Sequence, residues 1–245
     1  MRIPVAGNSV GEFQMKNIDH RRQEGIEVLT IARPPANALD IETTEEIADA
    51  FEAFYPDDSA AAVVLTGDGK AFCAGLDLKA IPNYSQPELR RLLDAINRMA
   101  TAVYGCPIPV IGAINGHAIA GGFVLAICCD WKIVADAPMQ VGLTEVRVGV
   151  PYRAAALEVI RSELHPNLAR ELVLFWQEYE CGRGACGWHL RRIGGIRSVA
   201  GACDGKGARG GGTAATLLQD NQAPTEAACS RSMPRGSLGR GRAVA

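Results

Sequence analysis

The segment 107–130, PIPVIGAINGHAIAGGFVLAICCD, limits most strongly what this chain can fold into. It begins with a short apolar run that ends at Asn115-Gly116, and Gly121-Gly122 begin a second apolar run that continues through Cys129. This pattern predicts a strand, a glycine-rich turn and a buried helix. The first amides of a helix lack intrahelical partners, and glycines there let an oxygen with negative charge approach the backbone. Tight packing against a neighbouring element is the alternative interpretation of the same small residues.

Strand and helix patterns alternate on both sides of this segment. Residues 25–31 alternate as a strand, and 61–66 (AAVVLT) is apolar enough to be buried on both faces. A helix is predicted to bury Ile47, Ala50, Phe51 and Phe54, and a long helix is predicted to begin with the capping pair Ser85 and Glu88. A strand is predicted over 131–135. Two further helices are predicted over 153–161 and 167–176, the second capped by Asn167. The alternation predicts an α/β fold with parallel strands.

Composition excludes several classes of protein. Hydrophobic residues are 48% of the chain, which suffices for a large core. No apolar run has the length of a membrane span, and the first residues lack the apolar block of a signal peptide, so we expect a cytoplasmic protein without membrane contact. The eight cysteines follow no recurring spacing, and Cys128-Cys129 lie in an apolar segment. We therefore expect buried, reduced thiols.

Two further features are candidates for chemistry. The segment 71–78 (AFCAGLDL) is a small-residue loop, predicted either to turn its amides toward a ligand or to form a tight crossing between elements. Glu145 stands among apolar residues in 141–146 (VGLTEV). Desolvation of a carboxylate in that setting would raise its pKa toward the range of a general base. A helix-capping or surface acid is the alternative.

Three motifs in order, FCAGLDL, INGHAIAGGFVLAICCD and GLTEV, resemble those of the crotonase superfamily, the enoyl-CoA hydratase and isomerase group. The resemblance covers about residues 15–180. It implies a crotonase-like spiral of strand-strand-helix turns, completed in the family by a C-terminal helical region that supports homotrimers and hexamers. It also implies an acyl-CoA thioester as substrate, with coenzyme A as part of that substrate and no separate cofactor.

The resemblance also implies site residues. Leu76, after FCAG, and Gly121, the first glycine of the AGG run, would supply the backbone amides of an oxyanion hole. Such donors stabilise an enolate oxygen more than a neutral carbonyl. Backbone near Ala74 would hold the CoA adenine. The substrate-binding residues implied by the motifs are Ala38, Phe72, Ala74, Gly75, Asp77, Leu78, Ala120, Gly122, Val124 and Thr144.

The acid–base residues distinguish the possible reactions. Hydratases of the superfamily use two glutamates, and Val124 occupies the position of the first. Glu145 matches the second, and GLTE resembles the GLNE motif of Δ3,Δ2-enoyl-CoA isomerases, which need one glutamate as catalytic base. The resemblance therefore implies that the chain shifts an enoyl-CoA double bond. Hydration, another crotonase reaction, and a catalytically silent acyl-CoA binder are the alternatives.

Residues 181–245 differ from the rest in composition. Residues 1–180 contain 15 Lys+Arg and 24 Asp+Glu, a net charge of −9, whereas 181–245 contain 10 and 3, a net charge of +7. Gly, Arg, Cys and Trp make up 28 of these last 65 residues, against 30 of the first 180. The Ala- and Glu-rich helix with which the family would continue is missing after Tyr179. The chain is therefore predicted to consist of a loose extension (1–14), a crotonase-like core (15–180) and a low-order tail (181–245).

The composition of this tail suggests a frameshift. Codons for Gly, Arg, Cys and Trp share a guanine in the second position, and a displacement by one base brings that guanine first, which encodes the missing Ala, Glu, Asp, Val and Gly. The nucleotide sequence across codon 180 tests this hypothesis. Cys181, Cys186 and His189 lack a fourth ligand at zinc-site spacing, and the basic residues lack stacking aromatics, so neither a metal nor nucleic acid is expected. Loss of the family's helices predicts weak assembly and poor activity.

Overall fold

The described part of the chain folds into two β-sheets and five α-helices. A computed structural model of the chain describes residues 15–55, 59–135, 137–175, 178–181 and 196–199. The strands are β1 (Ile18–Gln23), β2 (Ile26–Ile31), β3 (Ala62–Gly67), β4 (Ala71–Cys73), β5 (Val110–Ile114), β6 (His117–Ile119), β7 (Trp131–Ala135), β8 (Met139–Gly142), β9 (Glu178–Cys181) and β10 (Ile196–Val199). The helices are α1 (Ile41–Glu52), α2 (Gln86–Tyr104), α3 (Gly121–Cys128), α4 (Ala154–Glu163) and α5 (Pro166–Phe175).

The larger sheet has the strand order β1-β2-β3-β5-β7-β10. Strand β1 pairs antiparallel with β2, and the neighbouring strands from β2 to β10 pair in parallel. Val63, Val64 and Leu65 of β3 are all buried, which confirms the prediction of a strand covered on both faces. Strand β1 was not predicted because three successive residues in it, His20 to Arg22, are exposed and polar.

The smaller sheet has the order β4-β6-β8-β9. The chain passes from β3 to β4 to α2, then from β5 to β6 to α3, then from β7 to β8 to α4. Each repeat places one strand in each sheet before its helix, which confirms the strand-strand-helix spiral for the described part of the chain. Residues 71–73 were predicted as part of a loop, and this is wrong, because they form β4 and pair with β6.

The helix starts follow local sequence signals, with one exception. The backbone N–H of Ser85 donates to the Glu88 carboxylate at 2.7 Å, and this capping pair begins α2 as predicted. Asp40 accepts from the backbone N–H of Thr43 at 2.8 Å and caps α1. Helix α5 begins at Pro166, so the prediction that Asn167 caps it is wrong. Proline suits the first helical position because the amide that it lacks has no intrahelical partner there.

The core surrounds α3. All its residues from Gly122 to Cys128 are buried, as expected for a helix that is apolar on every side. Cys73, Cys128 and Cys129 are free, buried thiols, in agreement with the prediction of reduced cysteines for these three positions. Burial raises the pKa of the Cys73 and Cys129 thiols to about 12. Among the described residues, no helix is both long and apolar enough to cross a membrane.

The predicted extension, residues 1–14, and most of the predicted tail lie outside the described residues. Within 181–245 the structure describes Cys181, at the end of β9, and the strand β10. Strand β10 pairs with β7 at the edge of the larger sheet. The low order of the tail and the frameshift behind it remain predictions.

Candidate active site

The amide of Leu76 is directed by a short parallel pairing with Leu39. The N–H of Leu39 donates to the carbonyl of Gly75 at 2.7 Å, and the N–H of Asp77 donates to the carbonyl of Leu39 at 2.9 Å. In a parallel ladder these bonds use the groups on either side of Leu76, so the N–H of Leu76 itself points away from Leu39. This N–H has no acceptor in the described part of the chain.

The amide of Gly121 is made available by the start of α3. The N–H of Ala120 donates to the carbonyl of Gly142 at 2.8 Å, and the carbonyl of Ala120 accepts from Val124 at 3.0 Å. Gly121 is the first residue of the helix, where a backbone N–H has no intrahelical acceptor. Within 15–175, apart from the masked gaps, no acceptor for it is found.

These two amides belong to loops that touch each other. Gly75 has φ +77°, and a Cβ atom on it would lie 2.7 Å from the carbonyl oxygen of Ile119 and 3.1 Å from the nitrogen of Gly121. On the other side of the contact, a Cβ on Gly122 would lie 2.0 Å from the carbonyl oxygen of Cys73. Glycine is required at both places because the backbones approach so closely. The two loops therefore lie in direct contact.

Arg33 contacts both the first of these loops and the start of α1. Arg33 contacts Asp77 through Nη2 at 2.7 Å and Asp40 through Nε at 3.0 Å. Its Nη1 also donates to the carbonyl of Ala38 at 3.2 Å. Arg33 thereby ties the loop after Leu76 to the start of α1, which stabilises the position of the Leu76 amide.

Glu145 is a buried carboxylate, 7% exposed, at the start of a 3₁₀ turn, Glu145–Val148, that follows β8. The hydroxyl of Tyr152 donates to its Oε2 at 2.9 Å. Burial raises the pKa of Glu145, while hydrogen bonds from backbone amides and from Tyr152 oppose part of that rise. Burial and the adjacent carboxylate raise the pKa of Tyr152, so its hydroxyl remains protonated and can donate. The alternative of a surface acid at Glu145 is thus wrong.

One pocket of about 170 Å³ contains all of these elements. Leu76, Gly121, Glu145 and Tyr152 line it. Most of its remaining wall is apolar and comes from Leu39, Leu93, Ile96, Met99, Ala100, Ile119, Val148, Val150, Pro151 and Ala156. Apolar walls with a few converging polar groups are typical of a small-molecule site.

The other predicted site residues divide into two groups. Those that line the pocket are Ala74, Leu78, Ala120, Val124 and Thr144. Those outside its lining are Ala38, Phe72, Gly75, Asp77 and Gly122. Phe72 is fully buried, and Gly75 and Gly122 form the contact between the loops. A role of either group in substrate binding remains a prediction.

Sequence reasoning missed several pocket residues. The apolar period of α2 was recognised, but nothing in it showed that Leu93, Ile96 and Met99 face this pocket. Tyr152 and Arg153 follow Pro151 in a segment without regular structure, and no spacing rule connects Tyr152 with Glu145. The one usable signal in the sequence was that Glu145 stands among apolar residues.

Ala120, immediately before α3, has φ 52° and ψ −122°, a conformation that is unfavourable for a residue with a Cβ atom. Ala120→Gly is therefore expected to raise the free energy of unfolding by about 1 kcal/mol, the relief of strain less the greater entropy of glycine in the unfolded chain. Urea unfolding of both proteins measures this difference. A lower midpoint for the variant at an unchanged slope would contradict it.

No group of three or more metal-ligating side chains occurs among the residues that the structure describes.

Comparisons with known proteins show which sequences and folds this chain is similar to. The family model described as "Enoyl-CoA hydratase/isomerase" matches residues 21–182. The crotonyl-CoA hydratase of Syntrophomonas wolfei is 34% identical over 160 residues, which cover 64% of this chain and 61% of that protein. The putative enoyl-CoA hydratase/isomerase YngF of Bacillus subtilis is 30% identical over 185 residues, or 75% of this chain and 68% of that protein. The chain thus spans about three fifths to two thirds of the length of these relatives.

Solved structures show the same fold. An enoyl-CoA hydratase/carnithine racemase from Magnetospirillum magneticum matches with a TM-score of 0.67 and 28% identity, over 76% of this chain and 68% of that one. An enoyl-CoA hydratase from Bacillus anthracis matches with a TM-score of 0.66 and 27% identity, over 75% of this chain and 71% of that one. DspI of Pseudomonas aeruginosa, at 23% identity and a TM-score of 0.70, covers 79% and 78% and shows the fold alone.

Proposed function

Because this chain belongs to the enoyl-CoA hydratase/isomerase family of enzymes, we propose that it shifts the double bond of an enoyl-CoA thioester, with Glu145 as catalytic base and the amides of Leu76 and Gly121 as oxyanion hole. The observation that carries the proposal is a buried carboxylate in one pocket with two backbone amides that lack acceptors. An acyl-CoA as substrate and the Δ3,Δ2 reaction are both parts of this proposal.

The proposed reaction begins with the thioester carbonyl oxygen between the two amides. Glu145 removes a proton from C2 of a 3-enoyl group, and the electrons of the C–H bond move into the conjugated system and onto the thioester oxygen. The two amides stabilise that oxygen more in the dienolate than in the neutral thioester. Glu145 then returns the proton to C4, which leaves the double bond between C2 and C3. One base is sufficient because the same proton is removed and returned.

Val124 supports isomerisation over hydration. It lines the pocket and is 4% exposed, and Glu145 is the one carboxylate among the described residues of the pocket wall. Addition of water would require a group to activate the water as well as one to protonate C2. Hydration remains the second candidate because relatives at about one third identity are named hydratases.

A spectroscopic assay tests the proposal and separates these candidates. With 3-hexenoyl-CoA as substrate, isomerisation produces the conjugated 2-enoyl thioester and increases its ultraviolet absorbance. With 2-hexenoyl-CoA, hydration decreases that absorbance. An increase in the first assay without a decrease in the second is expected. Binding of hexanoyl-CoA without turnover in either assay would instead indicate a catalytically silent binder.

Tyr152 holds the base in this proposal, and the variant Tyr152→Phe is expected to move the acidic limb of the kcat/KM profile to higher pH. The hydroxyl stabilises the ionised form of Glu145, so its loss raises the pKa of the base, and only the ionised base accepts a proton. Loss of one hydrogen bond to a charged group costs about 1.5–3 kcal/mol, which moves the acidic limb of the profile by about one to two pH units.

Tyr104→Phe provides the matched control for this experiment. Its hydroxyl donates to the half-buried Glu163 at 3.0 Å, outside the pocket, so its loss removes the same kind of bond without affecting Glu145. The profile is to be measured for both variants and the wild type. A decrease of kcat/KM by the same factor at every pH in Tyr152→Phe would contradict the proposed role.

Assembly and location remain predictions for this chain. The resemblance implies a homotrimer or hexamer, which loss of the family's C-terminal helices would weaken. The hydropathy pattern of the sequence predicts a cytoplasmic protein.

A further inference from the structure

Arg153 is the one positively charged residue among the described residues that line the pocket. It immediately precedes α4, and the backbone N–H of Ala155, two residues on, donates to Asn97 of α2 at 3.1 Å. Arg153 therefore lies where α4 meets the middle of α2. The neighbouring pocket wall is apolar and is formed by Leu93, Ile96, Ala100 and Ala156.

The guanidinium of Arg153 is incompletely paired. Its Nη2 lies 3.5 Å from Oδ1 of Asp94, a side chain that is 78% exposed. The corresponding contact of Arg33 with Asp77 measures 2.7 Å, which is the usual length of a charge-assisted hydrogen bond. The Nε of Arg153 is buried and has no hydrogen-bond partner in the described part of the chain. Nη1 also lacks a partner there but is not enclosed, and the side chain as a whole is 38% exposed, so an acceptor supplied by a ligand can reach the guanidinium at its Nη atoms.

We propose that the acyl groups taken by this pocket carry a carboxylate at the end distant from the thioester, and that this carboxylate pairs with the two Nη atoms of Arg153. The inference rests on the proposed function and names its substrate class, ω-carboxyacyl-CoA thioesters. A carboxylate fits better than a hydroxyl or a keto group for two reasons. It balances the positive charge, and its two oxygens match the fork formed by the two Nη atoms.

In this arrangement the two adjacent residues have separate tasks. Tyr152 holds the base beside the reacting carbon atoms, and Arg153 binds the opposite end of the acyl group. Apolar residues of the pocket wall contact the methylene groups of the acyl chain. A neutral alkyl chain of the same length would leave Nη1 of Arg153 without an acceptor and would add a methyl group beside a charge, both of which disfavour its binding.

The test compares pairs of substrates of equal length. 3-Hexenoyl-CoA is compared with 3-hexenedioyl-CoA, and 3-octenoyl-CoA with 3-octenedioyl-CoA, by the ratio of their kcat/KM values. The wild type is expected to prefer the carboxylate in at least one pair. Arg153→Met removes the charge and the donors while it keeps an unbranched side chain, and it is expected to lower that preference by about 10- to 100-fold, the usual worth of a hydrogen bond between charged groups.

Arg161→Met is the matched control. Arg161 lies on α4, its side chain is 73% exposed, and its contact is Glu158 on the surface. This variant changes the net charge by the same amount and should retain the preference of the wild type. If Arg161→Met also loses the preference for the carboxylated substrate, net charge explains the effect and the proposal is overturned. A wild type that prefers the neutral substrate, or an Arg153→Met variant that keeps the wild-type ratio, would also overturn it.

A binding measurement keeps this inference separate from the proposed reaction. The dissociation constants of hexanoyl-CoA and its ω-carboxy counterpart, adipoyl-CoA, and of octanoyl-CoA and suberoyl-CoA, are measured by calorimetry for the wild type and Arg153→Met. If no enoyl-CoA is turned over, the proposed function fails, but tighter binding of a carboxylated ligand that depends on Arg153 still supports this site. Equal binding within both pairs overturns it, whatever the activity. The melting temperature of each variant verifies that the protein is folded.

Discussion

Glu145→Gln is expected to lower kcat for isomerisation of 3-hexenoyl-CoA by about 10²- to 10⁴-fold, the contribution typical of a positioned general base. Glutamine has nearly the same shape and can still accept from the Tyr152 hydroxyl, but its amide cannot take a proton from C2. The dissociation constant of hexanoyl-CoA should change little, because the proposed role of the carboxylate begins with proton transfer. Activity that falls while binding persists is the result predicted for a catalytic base.

Stability distinguishes this loss from unfolding. Burial raises the pKa of Glu145 above its ordinary value of 4.5, so the folded protein binds this proton more readily than the unfolded chain. Ionisation of Glu145 therefore destabilises the fold as pH rises from about 4.5 through the raised pKa, and that effect persists at neutral pH. Glu145→Gln removes it, and the variant should be at least as stable as the wild type at pH 7. Urea unfolding at pH 4 and pH 7 measures this difference.

Glu158→Gln provides the control. This glutamate lies on α4 with a side chain that is 69% exposed, and it should leave kcat unchanged. Turnover by Glu145→Gln at the wild-type rate would end the proposal that Glu145 is the base. Equal binding with no turnover in either protein would favour the silent binder.

Gly75→Ala is the second substitution with a large expected effect. A Cβ atom at this position would lie 2.7 Å from the carbonyl oxygen of Ile119 and 2.9 Å from the Cβ of Ala120, so the two loops must separate. That movement displaces the amide of Leu76 relative to that of Gly121. Removal of one oxyanion donor typically costs about 10²- to 10³-fold in kcat, and we expect a decrease of that size.

Gly69→Ala is the control that distinguishes backbone strain from separation of the loops, the two consequences of a methyl group added at Gly75. Gly69 has φ +71°, close to the +77° of Gly75, but a Cβ there meets no atom within 4 Å. Both substitutions incur the backbone strain of a left-handed residue, about 1 kcal/mol, and only Gly75→Ala also forces the loops apart. Gly69→Ala should therefore be slightly less stable than the wild type and equally active.

The measurements for this pair are kcat, the dissociation constant of hexanoyl-CoA and the urea midpoint. If Gly75→Ala retains wild-type kcat, the contact between the loops does not set the oxyanion hole. If Gly69→Ala loses as much activity as Gly75→Ala, backbone strain rather than separation of the loops explains the loss.

The regular elements were predictable where their side chains carried the signal. The buried helix α3 and strand β3 have uninterrupted apolar runs, and the capping pair Ser85 and Glu88 begins α2 as predicted. Strand β4 has only three residues, which is too short for an alternating pattern to be recognised. Strand β1 buries Ile18 alone, so its sequence shows no alternation of apolar and polar residues.

The sequence by itself determined the chemical groups of this protein: two glycine-containing segments, an acid in an apolar context, and a valine, Val124, at the position where the family resemblance implies a second acid in hydratases. Those are properties of single residues and their chain neighbours. Which way the Leu76 amide points, that Gly75 touches Gly121, and that Tyr152 and Arg153 face the pocket depend on segments that are far apart along the chain. Only the tertiary structure decided them, because the direction of a backbone donor and the burial of a side chain are set by the elements packed against them.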